Sequence, residues 1–319
     1  SGESMVRQFL WGQRFTRKHF GYTSDCFWLP DTFGYSAAIP QIMKGCGVDY
    51  FLTTKITWND TNKFPYDTFY WQGIDGTKVF SHFNLTHCWP DPKELCAAIQ
   101  TDNNRSGQAC VTNKRLAAYG YGDGGGGPQF EMIEMARRCK NLNEVPKVKN
   151  LTVSEFMQDL EKTAVNPNVY TGELYLELHR GTLTNQHEIK RNNRKAEIRL
   201  RNLEFLTVSN SVENGTDCNP NLTNELYETL LINQFHDILP GTCINAAHKQ
   251  CKAEMRELIS RADKYIAELS CGKGSGISVV NTLPFKRSDA VFADDFGGYI
   301  ADYPQQKYVD INGNKKQII

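Results

Sequence analysis

The sequence lacks the features of several common classes of protein. Its 319 residues carry 36 Lys and Arg against 36 Asp and Glu, so there is no excess of positive charge to indicate nucleic-acid binding. No apolar run approaches the roughly 18 residues of a membrane span. Ten cysteines occur without a CxxC pair, which argues against a disulfide framework or a zinc ribbon. We therefore expect a globular cytoplasmic protein with reduced thiols that binds neither nucleic acid nor membrane.

The start of the chain lacks two further features. Ser1 stands where an initiator Met would be, and the segment SGES has neither the basic nor the apolar stretch of a signal peptide. We therefore expect a fragment of a longer protein that carries no secretion signal here. The chain is long enough for two or more domains, and the sequence leaves its oligomeric state open.

One short stretch organises the rest of the chain. The apolar run from Cys26 to Leu29 predicts a short buried strand. Pro30 ends that strand because proline has no N–H to donate to a sheet. Asp31 follows at once, at the C-terminal end of the strand, where parallel α/β folds collect their catalytic groups. Asp31 is therefore the first candidate for a catalytic acid.

Aromatic residues surround this acid in the sequence. Trp28, Phe33 and Tyr35 lie within four residues of Asp31, and such rings stack on sugars or fill cores. By residue type alone, the alternative is that Asp31 caps a helix predicted over 37–43. The two interpretations have about equal support before any resemblance is considered.

Strands and helices alternate through the first half of the chain, which predicts a parallel α/β sheet or barrel. A helix is predicted over 4–20, and an Asp-Gly turn at 75–76 precedes the third strand. Past 170, apolar residues recur at helical spacing in three long segments and predict a bundle. Strand-like sequence begins at Ile277. The predicted strands are 26–29, 49–56, 78–83 and 115–121, and the predicted domains are 1–170, 171–271 and 272–319.

A second acid lies in a glycine-rich loop at the end of the fourth predicted strand. The loop reads GDGGGGP over 122–128, and Pro128 can open the helix that follows. Glycines let the backbone approach a ligand closely, so Asp123 is the best partner acid for Asp31. The alternative is a flexible or phosphate-holding turn before a helix, although no GK[ST] follows.

Other polar residues have a structural and a functional interpretation. His236 lies among Leu and Phe residues whose helical spacing continues to Ile238, so by itself it predicts a histidine in the core of a helix. Glu177, His179 and Arg180 either reach a pocket or tie two domains together, and the tie is favoured. The basic residues between 190 and 201 fall all round a helix and predict a solvated face.

Three segments resemble the family 38 glycoside hydrolases, the retaining α-mannosidases. Trp28–Ile42 is similar to the nucleophile motif WLPDxFGYSAALPQI of the cytosolic and bacterial branch. Residues 171–184 resemble the family's junction between barrel and bundle, with Leu183 in place of the usual Tyr. Residues 231–242 (LINQFHDILPGT) resemble its metal-binding motif. The resemblance implies a multidomain α/β protein: the C-terminal portion of a parallel (β/α) barrel-like catalytic domain, a three-helix bundle, and the start of a β-sandwich.

The resemblance also implies roles for particular residues. Asp31 would be the nucleophile, and Asp123 would be the general acid and base of a retaining reaction. Asp31 and His236 would ligate a zinc ion, with cobalt as the alternative metal. The implied substrate contacts are Phe33, Lys55 and Asp237.

One departure from the family matters most. Two further zinc ligands come from an HxDxxW motif near the start of the family's barrel, and no His-x-Asp occurs in this chain. We therefore expect a zinc-dependent α-mannosidase, acting on oligosaccharides with terminal α-mannose, of which this fragment is inactive alone. The alternatives are a non-catalytic carbohydrate-binding remnant and another metal-dependent sugar hydrolase.

Overall fold

A computed structural model describes residues 1–86, 89–270 and 279–319. The chain divides into two compact units. The first unit comprises residues 1–193 and 229–255, and the second comprises 194–228 and 256–319. Each unit is described by itself below.

The first unit holds a five-stranded sheet and most of the shorter helices. Its strands are β1 Cys26–Trp28, β2 Tyr50–Thr53, β3 Thr68–Gln72, β4 Lys78–Phe83 and β5 Asn168–Thr171. Its helices are α1 Gly2–Phe20, α2 Ile39–Gly45, α3 Pro92–Ser106, α4 Phe130–Arg138 and α5 Val153–Thr163. Three long helices are divided between the units: α6 His187–Asn214, α7 Asn221–Ile232 and α8 Asn245–Ser270.

The sheet is mixed, with the strand order β1-β2-β4-β3-β5. Strands β1, β2 and β4 are parallel, as predicted, whereas β3 runs antiparallel to β4. The predicted Asp-Gly turn causes the reversal: the Gly73 N–H donates to the Thr77 carbonyl at 2.9 Å, and Gly76 has φ +88°. Strands β1 and β5 are the edges, so closure into a barrel stays a prediction.

The predicted strand over 115–121 is wrong. Only two isolated bridges occur there: Ala117 pairs with Leu85 beyond the end of β4, and Tyr121 pairs with Gly126 inside the glycine loop. The N–H of Leu116 donates instead to the imidazole Nε2 of His82 at 3.2 Å, so it is lost to any ladder. Residues 115–121 therefore lie beside the sheet as an irregular segment and lead into the glycine loop.

Apolar side chains of the sheet are covered by helices on both faces. On β2, Phe51 packs with Met43 of α2 in one cluster, while Leu52 packs with Met157 and Leu160 of α5 in another. Successive residues of a strand point to opposite faces, so a strand buried on both faces has a continuous apolar sequence. Strand β2 is therefore packed between α2 on one face and α5 on the other.

Within the second unit, ion pairs link the three long helices. Arg199 of α6 pairs with Asp263 of α8 at 2.5 Å, and Arg261 of α8 pairs with Glu225 of α7 at 2.8 Å. Exposed pairs of this kind add little stability; the buried Leu200, Leu203, Leu226 and Leu258 contribute more. A separate bundle domain over 171–271 stays a prediction.

Two further predictions about elements are wrong. Helix α7 ends at Ile232 rather than continuing to Ile238. Beyond it the Phe235 and Ile238 N–H groups donate to carbonyls three residues back, which is the pattern of successive turns. His236 therefore lies in a turn, not on a helix. Residues 277–278 of the predicted last segment lie outside the described residues, and 279–283 form no strand.

The C-terminal part of the second unit contains an antiparallel sheet. It has the order β6-β8-β7, formed by Phe292–Asp294, Lys315–Ile318 and Gln306–Val309. A β-sandwich stays a prediction. Among the helices that the structure describes, none has the length and apolarity to cross a membrane.

Candidate active site

Asp31 is held where the pairing of β1 and β2 runs out. The Leu29 N–H donates to the Leu52 carbonyl at 3.1 Å, and the Lys55 N–H donates to the Pro30 carbonyl at 3.0 Å. This backbone pairing brings Asp31, the residue after Pro30, next to Lys55. Lys55 Nζ lies 3.4 Å from Asp31 Oδ1, with the lysine side chain 12% exposed and the carboxylate 36%.

The buried side chain of Tyr35 links the C-terminal ends of β1 and β2. Its hydroxyl donates to the Leu29 carbonyl at 2.5 Å and lies 2.7 Å from Thr53 Oγ1. Burial raises the pKa of Tyr35, so the phenol stays protonated and keeps its donor. Tyr35 is thus part of the core.

Helix α2 has Ala38 as its N-cap, so the alternative role of Asp31 as a helix cap is wrong.

Aromatic rings fix the ammonium group of Lys55. Its Nζ lies 3.8 Å from the ring centroid of Trp58 and 5.8 Å from that of Phe33. The face of an aromatic ring attracts a cation, and the attraction strengthens when water is excluded. Lys55 is therefore oriented by two rings and the Asp31 carboxylate together.

Asp123 lies near the tip of a tight hairpin. The Tyr121 N–H donates to the Gly126 carbonyl at 2.8 Å, and the Gly126 N–H donates back at 3.0 Å. A Cβ on Gly126 would approach Tyr121 Cβ to 3.2 Å, which explains a glycine here. The Gly125 and Gly126 amides are both engaged within the loop, and α4 begins only at Phe130. These contacts disfavour the phosphate-holding alternative.

The turn after α7 presents His236 and Asp237. The Thr242 hydroxyl donates to Asp237 Oδ1 at 2.6 Å, and the Thr242 and Cys243 N–H groups donate to the Asp237 carbonyl. His236 Nε2 lies 3.5 Å from Asp237 Oδ2, and its ring centroid is 4.2 Å from that of Phe235. The two side chains are therefore held by the turn itself.

A second segment locks this turn in place. Lys190 Nζ donates to the carbonyls of Asn185, Leu239 and Pro240 at 2.6, 3.1 and 3.1 Å. Burial lowers the pKa of Lys190. The Asn185 amide donates to the Gly241 carbonyl at 2.8 Å, and a Cβ on Gly241 would lie 2.9 Å from Gln186 Cβ. Only glycine allows this approach.

The charged residues before this segment divide between structure and site. Glu177 is buried and accepts hydrogen bonds from the backbone N–H groups of Thr61 and Asn62, so its role is structural. His179 has φ +60°, and its ring meets Phe33 edge-on with centroids 4.8 Å apart. Glu177 therefore holds the loop at 61–62 within the first unit, whereas His179 faces the site; a tie between two domains by ion pairing stays a prediction.

All six predicted site residues line one cavity of about 550 Å³, called here the charged cavity: Asp31, Phe33, Lys55, Asp123, His236 and Asp237. His179, for which the pocket was the less favoured interpretation, also lines it, and four further lining residues were not singled out: Gly181, Thr182, Asn185 and Thr242. Most of these lie inside the segments that resemble the family's motifs, which was the only signal in the sequence.

The cavity is lined by three carboxyl groups and two imidazoles, but the described residues do not group them as a metal site. Asp31 supplies carboxylate oxygens and His236 supplies imidazole nitrogens, both ordinary zinc ligands. Among the residues that the structure describes, no group of three or more His, Cys, Asp and Glu could hold a metal ion. A four-coordinate zinc would need further donors beyond these two.

Comparisons with known proteins identify the family. The model of the glycosyl hydrolases family 38 N-terminal domain matches residues 1–175, and that of the alpha mannosidase middle domain matches 177–270. The chain belongs to glycoside hydrolase family 38.

Its relatives are named as α-mannosidases. Alpha-mannosidase G of Dictyostelium discoideum is 41% identical over 276 residues, which cover 83% of this chain and 25% of that protein. Alpha-mannosidase of Saccharomyces cerevisiae is 38% identical over 308 residues, which cover 91% and 28%. The chain thus spans little more than a quarter of the length of these relatives.

A solved structure shares the fold. The alpha-mannosidase from Enterococcus faecalis V583 matches all of this chain over 43% of its own length, with a TM-score of 0.72. Its sequence identity is 15%, so this likeness is one of fold.

Proposed function

We propose that the protein containing this chain is a retaining α-mannosidase that removes terminal α-mannosyl residues from oligosaccharides in the cytoplasm. One observation carries the proposal. Asp31, Asp123 and His236 come from three separate segments of the chain, yet all three line the charged cavity. Membership of the family supports the same activity.

The reaction needs two carboxyl groups with different tasks. The Asp31 carboxylate attacks the anomeric carbon and forms a glycosyl ester, while the Asp123 carboxyl protonates the departing oxygen. Asp123 then removes a proton from a water molecule. The water oxygen attacks the anomeric carbon, frees the Asp31 carboxylate and releases mannose with its original anomeric configuration. Lys55 orients Asp31 and balances its charge.

Other residues of the charged cavity would hold the sugar. Phe33 offers a ring edge or face to the C–H groups of the mannose, and its contact with His179 fixes the ring. Asp237 accepts a hydrogen bond from a sugar hydroxyl, and the Thr242 hydroxyl holds that carboxylate in position.

We also propose that the complete enzyme depends on zinc, with cobalt as the alternative metal. Asp31 and His236 would be two of the ligands, and the other donors would come from outside the described residues. When bound, the ion would hold the vicinal hydroxyls of the sugar and favour a distorted ring. None of the proton transfers above passes through it.

The test is an aryl α-mannoside assay on the full-length protein, with and without a chelator. We expect turnover that the chelator abolishes, and an α-configured first product by NMR. Asp31→Asn should lower kcat by several orders of magnitude, because the amide cannot form the ester. Asp49→Asn, which changes an acid in a surface ion pair with Lys44, is the matched control.

Two results would contradict the proposal. If Asp31→Asn keeps even a tenth of the activity, Asp31 is not the nucleophile. If the full-length protein binds mannosides without turnover, the carbohydrate-binding alternative is correct.

A further inference from the structure

A second cavity adjoins the charged cavity. It has a volume of about 510 Å³ and shares Asp31 and Asp123 with the charged cavity, but no other lining residue. Trp28, Tyr119 and Tyr121 line it, and we call it the aromatic cavity. The two candidate catalytic acids therefore stand where the two cavities meet.

The two cavities differ in chemistry. Besides the shared acids, the charged cavity contains Lys55, His236 and Asp237. The described lining of the aromatic cavity has no charged side chain besides the shared acids; it consists of rings, small side chains and backbone of the glycine loop. The charged cavity suits a sugar held by many polar contacts, and the aromatic cavity suits the face of a neutral ring.

We propose that the aromatic cavity binds the leaving group, a neutral sugar ring joined to the mannose through the bond that is cleaved. This assignment rests on the proposed function. The acid that protonates the departing oxygen must lie between the sugar that is attacked and the sugar that leaves. Asp123 lines both cavities, so the departing ring extends from it into the aromatic cavity.

The aromatic side chains are held in place although they are exposed. Trp28 is 38% exposed, and its Nε1–H donates to Oδ1 of the buried Asn84 at 3.1 Å. Tyr121 is 40% exposed, and its hydroxyl donates to Gln129 Oε1 at 3.0 Å. Large rings that are fixed at their polar ends offer a preorganised stacking surface to a sugar.

Charge narrows the class of leaving group. Asp31 and Asp123 supply the only carboxyl groups on the wall of the aromatic cavity, among the residues described. Lys55 balances the charge of Asp31, and Asp123 must carry its proton when the substrate binds. The described wall has no Lys, Arg or His, so an anionic leaving group, such as a phosphorylated sugar, would find no cation to pair with there. We therefore expect neutral hexoses to be preferred.

The experiment compares two substrates of the full-length protein that differ only in the leaving group. An α-1,2-, α-1,3- or α-1,6-linked mannobiose fills both cavities, whereas α-mannosyl fluoride loses a single ion and leaves the aromatic cavity empty. We expect Tyr121→Ala to lower kcat/KM for the best mannobiose by about tenfold and to leave the fluoride within about twofold. Tyr121→Phe should retain most of the mannobiose activity, because the ring remains.

Tyr22→Ala is the matched control, since Tyr22 is 54% exposed and lines neither cavity. Tyr22→Ala should leave kcat/KM for both substrates unchanged. Equal losses on both substrates in Tyr121→Ala would show that the ring only supports the loop, and an unchanged mannobiose rate would show that no sugar stacks there. Either result overturns the assignment. If the unaltered protein cleaves neither substrate, the proposed function fails first and the assignment falls with it.

Discussion

At the scale of single residues, the site depends on contacts that fix charge. Lys55 contacts Asp31 and the Trp58 ring and lies within cation–π range of Phe33, and the Asp237 carboxylate accepts a hydrogen bond from the Thr242 hydroxyl. Each contact restricts a side chain before a substrate arrives, which lowers the entropy lost on binding. Asp123 differs, because it is exposed near the tip of its hairpin.

We predict that Asp123→Ala separates substrates by their leaving groups. A natural disaccharide needs a proton on the departing oxygen, whereas a dinitrophenyl mannoside leaves without one. The variant should therefore lose at least about a hundredfold in kcat on the disaccharide and much less on the activated mannoside. The measurement is kcat on both substrates, with Asp49→Asn as control. Equal losses would remove Asp123 from the acid/base role.

At the scale of elements, hydrogen bonds of one side chain take the place of regular backbone pairing beside β4. His82 of β4 accepts the Leu116 N–H at Nε2, and its Nδ1 lies 3.0 Å from Thr68 Oγ1 of β3. Burial, with a smaller contribution from the nearby Arg115 charge, lowers the pKa of His82 to about 3. The neutral imidazole thus links two strands to the segment that leads to Asp123.

This histidine predicts a pH dependence of stability. Between pH 6.5 and about 3 the unfolded chain binds a proton at His82 that the folded chain does not. The contribution of His82 to the free energy of unfolding is therefore complete above pH 6.5. It is lost as the pH falls, by up to about 1.4 kcal/mol per pH unit. In urea unfolding, His82→Gln should be less stable at pH 7 but lose stability less steeply below pH 6.5. Parallel curves for the two proteins would contradict this.

The turn that carries His236 gives a second prediction at this scale. Gly241→Ala meets both a positive φ and a clash with Gln186, whereas Gly21→Ala, at φ +73°, meets no atom within 4 Å. We expect Gly241→Ala to lower the free energy of unfolding by about 1–3 kcal/mol and Gly21→Ala by less. Mannosidase activity should fall only in the first variant, because the turn moves. If both variants lose equal stability and activity, the close approach at Gly241 is unimportant.

At the scale of the whole molecule, the first unit brings together residues that are far apart in sequence. It joins residues 1–193 to 229–255, so the segments with Asp31, Asp123 and His236 belong to one unit. Among the described residues, however, no group of three or more His, Cys, Asp and Glu could hold a metal ion, and we propose only Asp31 and His236 as zinc ligands. Affinity for zinc depends on having the complete ligand set.

We therefore predict weak zinc binding by residues 1–319 alone. Isothermal titration should give a Kd in the micromolar range or weaker, well short of the affinity of complete structural sites. An aryl α-mannoside assay on the same protein should show no turnover. His236→Ala should remove the remaining zinc binding, and His248→Ala, which changes a histidine outside the charged cavity, should not. Nanomolar binding with turnover would mean that the chain completes the site from residues not identified here.

What the sequence alone determined was local. The apolar run before Pro30, the Asp-Gly turn and the helical spacing of the long helices predicted their elements, because each depends on neighbours in the chain. The resemblance to the family added the candidate acids. The tertiary structure decided what depends on distant residues. His82 takes the N–H that a strand over 115–121 would need, and the turn that holds His236 packs on a distant segment, where Gly241 approaches Gln186. The meeting of Asp31, Asp123 and His236 at one cavity likewise follows from packing, because no local pattern encodes a contact between segments about a hundred residues apart.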